Sequence, residues 1–382
     1  MGEWERLGRA QRDPTAVAIF TNGLDLSWKE DPPPTSWTCP PSLVTIGRQR
    51  RIILSFIPRW LELGYVRELP SPPPFQCHFS CMFSVPKDSE SVRPIMDLSP
   101  LNRLLCKKHF KMEDLTRVSR CIHPGMWAVK LDLKDAYWHL LLATGILHFF
   151  AFDLGDRQFL FLRLPFGLST APWAFSRVLR PIKKELRLGG VRVTSFLDDF
   201  LILARSFQEA VAHTEKVIQL LQKLGFHINW KKSSPQPSRR LEYLGVIIDL
   251  AEMSFSLPEE KINSILKFGK AAQGAVLSRR DLESLVGFLN FAADFLPLGR
   301  LWVKPIQRWV NTHSSPLRRE EEISLDRDLR EALSPWMDRE FLESSVPIQH
   351  PPPQLRLMTD ASGDGWGGVL QLPNGSTLEG EA

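Results

Sequence analysis

The sequence predicts an α+β fold, and three observations carry that prediction. Strand-like apolar runs occur at 129–133, 191–204 and 241–250, a helical pattern fills 258–343, and short proline triplets mark connectors between them. A length of 382 residues leaves room for two or three domains at roughly 100–200 residues each. The 43% hydrophobic and 24% charged content matches folded soluble proteins and excludes bulk disorder, collagen and long coiled coil.

Taken in chain order, the elements support this class. Residues 1–75 read as an N-terminal extension with one amphipathic helix near 43–63 in otherwise loop-like sequence, ending at Pro72 to Pro74. From 76 to 250 strands and helices mix. Val129-Lys-Leu-Asp-Leu alternates as a strand, 191–204 reads as two short strands broken at Asp198-Asp199, 207–224 has helical spacing, and 241–250 is strand-like. From 251 to 345 the pattern is helical. Pro258 with Glu259 and Glu260 starts one helix, and Ser278 with Asp281 three residues on is a capping-box variant. A proline-rich linker at 346–354 precedes a last strand at Leu355-Arg-Leu-Met-Thr-Asp and a glycine-rich stretch from Gly363 to Gly368.

Charge and cysteine content bound the setting without choosing a partner. The 48 Lys+Arg against 43 Asp+Glu give a net +5, which permits nucleic acid and does not argue for it. The five cysteines are an odd number without a regular framework, so the expected setting is reducing and intracellular. The most apolar run, 140–152, contains His148 and is far short of the roughly 20 residues of a membrane helix, so no membrane partner is expected. Arg6 breaks the myristoylation pattern.

The residues that carry chemistry are acidic. Ser195-Phe-Leu-Asp-Asp-Phe-Leu-Ile-Leu sets two adjacent carboxylates between apolar runs, at the expected tip of a β-hairpin. Like charges side by side repel, and the pattern supplies no cation beside them, so a divalent metal suits Asp198 and Asp199, although a plain Asp-Asp turn has the same sequence. Asp132 lies within an apolar strand, where a carboxylate needs a partner or a metal. Asp135, taken alone, is expected to N-cap the next helix. If the Asp132 strand pairs beside the hairpin, carboxylates distant in sequence can share two metal ions about 3.5–4 Å apart, as in-line phosphoryl transfer requires.

These motifs, with Tyr137 five residues after Asp132, Leu164-Pro-Phe-Gly-Leu-Ser-Thr-Ala-Pro-Trp-Ala-Phe and Phe196-Leu-Asp-Asp in that order, resemble the successive palm motifs of reverse transcriptases. Val85-Pro-Lys-Asp-Ser-Glu-Ser-Val-Arg-Pro-Ile-Met-Asp-Leu resembles the fingers of the same family. Leu224-Gly-Phe-His-Ile-Asn-Trp-Lys-Lys and Glu242-Tyr-Leu-Gly-Val resemble its later palm motifs and primer grip. The wording of Lys111-Met-Glu-Asp-Leu, of 127–140 and of Leu257-Pro-Glu-Glu-Lys is most similar to retroelements of the DIRS group.

The resemblance implies a right-hand polymerase: fingers and palm over 76–250 with an antiparallel palm sheet, a helical thumb and connection over 251–345, and an RNase H-like start at 355–382. It implies an RNA-directed DNA polymerase with two Mg²⁺ ions, or Mn²⁺ in their place, on Asp132 and Asp198, with Asp199 the second acid of the hairpin. Tyr137 would lie under the nucleotide sugar and exclude a 2′-hydroxyl. Lys87 and Arg93 would grip the triphosphate, Phe166 and Gly167 would support base and template, and Leu244 and Gly245 would belong to the primer grip. Lys232, or its neighbour Lys231, would protonate pyrophosphate. The expected partners are deoxynucleoside triphosphates and a primer on an RNA or DNA template; the oligomeric state is left open.

Asp360 matches the first acid of an RNase H domain, and Glu379 and Glu381 follow too closely for the family's spacing, so no RNase H activity is expected. Asp97 and Asn102 are expected to hold the fingers loop together. The basic run Lys107-Lys-His-Phe-Lys111 is either a template contact or a solvated turn. Cys77-His-Phe-Ser-Cys81 lacks the second cluster that a zinc site requires. A catalytically silent nucleic-acid-binding remnant and an RNA-dependent RNA polymerase are the competing readings.

Overall fold

The computed structural model describes residues 4, 6, 7, 13–86, 92–272, 276–313, 322–349, 355–362 and 365–381. The chain divides into two compact units, one of residues 1–121 with 125–244, the other of 122–124 with 245–382.

The first unit opens with two helices, α1 (Pro14–Asn22) and α2 (Gly47–Glu62). Periodicity missed α1, which is only nine residues long and is fixed by its ends: Asp13 Oδ1 accepts from Ala16 N at 3.2 Å, and Pro14 starts the first turn. Helix α2 begins four residues later than the sequence suggested, because Pro41–Leu43 forms a separate 3₁₀ turn. It buries Ile53, Ile57 and Trp60 at helical spacing. The extension is therefore part of the core, as Trp4 stacking on Phe20 at 3.7 Å and donating from Nε1 to Leu224 O at 3.2 Å also shows.

Strand β1 (Val66–Leu69) pairs with β6 (Gln158–Phe161), which in turn pairs with β5 (Ala151–Asp153). Strands β2 (Met82–Pro86) and β3 (Val92–Met96) form a hairpin, followed by α3 (Ser99–Arg103) and α4 (Leu115–Ser119). The central sheet has the order β7-β8-β4-β9, from β4 (Trp127–Asp132), β7 (Arg192–Phe196), β8 (Asp199–Ala204) and β9 (Ser234–Ser238). Helices α5 (Ala171–Leu188) and α6 (Phe207–Lys223) bury their apolar faces, with Phe175, Val178 and Ile182 on α5 and Val217 and Leu221 on α6. Strand β10 (Arg240–Tyr243) ends this unit.

The 241–250 run is two strands. Leu244 at φ 51° and Gly245 at φ 77° occupy the left-handed region and turn the chain between β10 and β11 (Val246–Asp249).

The second unit continues with β12 (Ser254–Ser256), α7 (Glu259–Ala272), β13 (Val276–Ser278), α8 (Arg279–Ala292), α9 (Gly299–His313), β14 (Glu322–Ser324), α10 (Arg327–Leu333), α11 (Arg339–Glu343) and β15 (Ser345–Pro347). Ser278 caps α8 as its sequence requires, its Oγ accepting from Asp281 N at 3.1 Å. Leu282, Leu285 and Leu289 of α8 and Val303 and Ile306 of α9 are buried. Strands β16 (Arg356–Ala361), β17 (Trp366–Gln371) and β18 (Thr377–Glu381) form an antiparallel meander. The Pro351 to Pro353 triplet and Gly363 lie outside the described residues. No helix among the described residues is long and apolar enough to cross a membrane.

Candidate active site

The register of the central sheet brings the acids together. Strand β4 pairs antiparallel with β8 so that Asp132 stands opposite Asp199, and Leu133 N donates to Asp198 O at 3.0 Å. The hairpin tip is Leu197-Asp198, since Phe196 pairs with Asp199. Asp199 is therefore not at the tip as the sequence reading expected; it is the first residue of the returning strand. Among the described residues its Oδ1 is buried without a hydrogen-bond donor, and Lys130 Nζ lies 3.5 Å from it. That lysine is the cation the local pattern did not reveal, because it projects from the neighbouring strand.

Asp132 and Asp198 line an open cavity of about 560 Å³, together with Arg93, Tyr137, Phe166, Asn229 and Lys232. Burial, joined by the charges of Asp132 and Asp199, pushes the Asp198 carboxyl up to about 6 against its own backbone hydrogen bond and Lys232. Burial also raises Asp132, opposed by the Asn229 hydrogen bond. Two carboxyls held above their ordinary range by burial and, after it, by neighbouring carboxylates offer hard oxygen donors whose charge a divalent cation would stabilise, so this pair fits the Mg²⁺ the resemblance implies. Asp199 does not line the cavity. Among the described residues no group of three or more His, Cys, Asp or Glu side chains is close enough to hold a metal, so the three acids are not one preformed cluster.

Asn229 stands two residues before Lys231, and nothing in the local sequence marks it as part of the site. Its Nδ2 donates to Asp132 Oδ1 at 2.8 Å and its backbone N to Asp132 O at 2.8 Å. Ser233 Oγ completes the link, accepting from Asp132 N at 2.9 Å and donating to Asn229 O at 2.9 Å. Lys232 lines the cavity, whereas Lys231 is not among its lining residues.

Tyr137 does not lie on an α-helix N-capped by Asp135. Asp135 takes the left-handed conformation (φ 52°, ψ 45°) without a side-chain cap, and Ala136–His139 is a 3₁₀ turn. The Tyr137 ring packs 5.4 Å from Phe166 and 5.8 Å from Phe175. Burial, with the Asp198 carboxylate adding to it, pushes its hydroxyl up to about 12. His139 fastens this turn from below, its Nδ1 3.2 Å from Ala136 O and its Nε2 accepting from His227 N at 3.1 Å.

Arg93 on β3 reaches over the Phe166 ring, 5.2 Å from its centre. Gly167 has φ +117°, and a Cβ there would fall 2.1 Å from Met96 O. Asn102 brackets this loop, donating to Gly167 O and accepting from Ser169 N, each at 2.8 Å. Asp97 Oδ1 accepts from Ser99 N at 3.1 Å. Lys87 lies outside the described residues. Leu244 is not among this cavity's lining residues, and in the second unit a Cβ on Gly245 would meet Lys261 Cε at 2.9 Å.

Beside the hairpin a second groove of about 560 Å³ runs along α5, lined by Lys111, Arg177, Arg180 and Lys184, with Phe110, Trp173 and Leu197. Residues 173, 177, 180 and 184 recur at helical spacing and so share one face of α5. The stripe is not among the sequence-predicted candidates; the fold sets it beside Ser195 and Leu197 of the hairpin.

Cys77, His78 and Cys81 are not among the lining residues of the cavity of Asp132 and Asp198. Cys77 Sγ is 3.8 Å from Phe75 O, Cys81 Sγ 3.2 Å from Leu43 O and His78 Nδ1 3.2 Å from Pro34 O. Asp360 shares a shallow surface depression with Glu379 and Glu381 in the terminal meander.

Residues 85–248 match the family described as reverse transcriptase (RNA-dependent DNA polymerase). The chain is 28% identical over 213 residues to the Transposon Tf2-3 polyprotein of Schizosaccharomyces pombe, and 27% identical over 213 residues to the Tf2-7 polyprotein of the same organism. Each alignment covers 56% of this chain and 15% of the polyprotein, so the chain spans only a small part of the curated relatives it matches. Its fold is similar to that of the foamy viral protease-reverse transcriptase in complex with RNA/DNA hybrid (TM-score 0.65, 17% identity, 100% of this chain and 50% of that one). The same protein in complex with dsDNA gives a TM-score of 0.64 at 18% identity, over 99% of this chain and 74% of that one. The architecture is that of a reverse transcriptase polymerase.

Proposed function

We propose that this chain is an RNA-directed DNA polymerase of a retrotransposon, extending a primer 3′-end with deoxynucleotides. One observation carries the reading: Asp132 and Asp198, from strands far apart in sequence, line one cavity with Arg93, Tyr137 and Lys232. Two divalent cations held by Asp132 and Asp198 would activate the 3′-hydroxyl and neutralise charge on the transferred phosphorus. Asp199 adds its charge from the adjacent strand, and Asn229 orients Asp132.

The chain's own groups do the rest. The Arg93 guanidinium, held over the Phe166 ring, binds triphosphate oxygens, and the resemblance gives Lys87 the same role. Tyr137, braced by Phe166 and Phe175, fills the space a 2′-hydroxyl would need. As the α–β phosphate bond breaks, Lys232 gives its proton to the leaving pyrophosphate. Gly167 lets the loop backbone approach the nucleotide, and Leu244 and Gly245 are assigned to the primer grip. The basic, aromatic groove along α5 suits a nucleic-acid duplex, and the foamy viral relatives bind RNA/DNA hybrid and dsDNA.

Two finer assignments belong to the same reading. The wording around Lys111 and Leu257 supports a DIRS-like origin, and the meander of β16 to β18, with Asp360 on its first strand, is read as the start of an RNase H-like sheet. Extension of a labelled DNA primer on an RNA template, with Mg²⁺ and deoxynucleotides, tests the function. Product formed from ribonucleotides alone would favour an RNA polymerase instead.

A further inference from the structure

Strand β7 carries the chain into Asp198, and it is the edge of its sheet. An edge strand leaves alternate N–H and C=O groups unpaired and is free to tilt. Its turn is also strained: Leu197, a non-glycine residue, sits at φ 52°, a conformation that persists only where the surroundings hold it.

What holds this edge is a side-chain cluster. Ser195 N donates to Glu113 Oε2 at 3.0 Å, and Thr194 Oγ1 donates to the same oxygen at 2.8 Å. Arg187 donates from Nε and Nη2 to Val193 O at 2.9 and 2.7 Å. Glu113 is fixed in turn from α5, by Lys183 Nζ on Oε2 at 2.9 Å and Arg187 Nη2 on Oε1 at 2.8 Å. The Glu113 and Lys183 side chains are each only 12% exposed. Glu113 and Arg187 thus take the place of a neighbouring strand, satisfying the outward N–H of Ser195 and C=O of Val193. On the other side Tyr243 donates from its hydroxyl to Asp199 O at 3.1 Å.

We propose that Glu113 is a positioning residue for the polymerase reaction: through Ser195, Thr194 and Arg187 it sets the position of β7 and hence of Asp198, three residues beyond its contact. This rests on the polymerase reading of the Asp198 site. No member of the cluster lines the cavity of Asp132 and Asp198, so its effect falls on the chemical step and not on nucleotide affinity. A carboxylate that served only to anchor α5 would change how much enzyme is folded and leave each folded molecule's rate alone.

The experiment compares wild type, Glu113→Ala and Glu113→Gln in single-turnover primer extension, with burst amplitude reporting active enzyme, and in hydrogen exchange of the 192–200 segment. Glu113→Ala is expected to lower the rate constant about tenfold, with nucleotide affinity within about twofold and burst amplitude retained. Exchange in 192–200 should quicken relative to α6. Glu113→Gln keeps an acceptor for Ser195 N–H and should recover part of both losses. A lowered amplitude with an unchanged rate constant, or unaltered exchange in 192–200, overturns the proposal. If the alanine variant does not fold, the glutamine variant decides by the same two readouts. If wild type itself extends no primer, the polymerase reading fails on its own and the exchange comparison decides what Glu113 does to the hairpin.

Discussion

The Asn229 side chain donates to Asp132 Oδ1 at 2.8 Å and so selects one orientation of a carboxyl that burial would otherwise leave free to turn. Asn229→Ala is expected to lower the extension rate by about tenfold, with nucleotide KM changed by less than about threefold, because the lost contact orients a group and does not bind substrate. Single-turnover kinetics at saturating nucleotide checks this.

Tyr137 meets Phe166 and Phe175 with its ring. Tyr137→Ala opens that space, so the preference for deoxy- over ribonucleotides, read as a ratio of kcat/KM values, should fall at least about tenfold. Tyr137→Phe keeps the ring and should keep the preference.

Gly167 has no substitute at its position. An alanine Cβ would press on Met96 O, so Gly167→Ala should destabilise the first unit by about 2 kcal/mol or more. That corresponds to a fall in Tm of about 4 °C or more for a unit of this size, measured by thermal unfolding.

Glu113 gives the fold an acid limit. Burial alone would raise its carboxyl, but Lys183, Arg187 and Ser195 together hold it down to about 2. A depressed carboxyl stabilises the fold fully above its unfolded value near 4.5, and that stability is lost as pH falls from there toward about 2. Burial also lowers the Lys183 ammonium, which offsets part of the gain, so the net contribution is below about 3 kcal/mol. Denaturant unfolding at pH 6 and pH 3 should show a smaller loss on acidification in Glu113→Gln than in wild type.

The class of fold and the acids were legible because they are local. Alternation around Asp132, two apolar runs flanking Asp198 and the serine cap of α8 each depend on a few neighbouring residues. What was not legible depends on register and on partners from afar. The Asp198-Asp199 doublet suits the tip of a turn, but the pairing of Phe196 with Asp199 sets the turn at Leu197-Asp198. Asp135 has the sequence of a cap, but its left-handed backbone makes it a corner before a 3₁₀ turn. The contacts of Asn229 with Asp132, and of Glu113 with Ser195, span 97 and 82 positions and leave no periodic trace in the chain.

The central claim is that Asp132 and Asp198 form the centre of a DNA-synthesising site. The most direct measurement is extension of a DNA primer on an RNA template with Mg²⁺ and deoxynucleotides, comparing wild type with an equally folded Asp198→Asn variant. Wild type should give full-length product and Asp198→Asn at least about a hundredfold less. Equal product from the two, or none from wild type while it still binds the primer–template in a salt-dependent way, would contradict the account and leave a nucleic-acid-binding remnant.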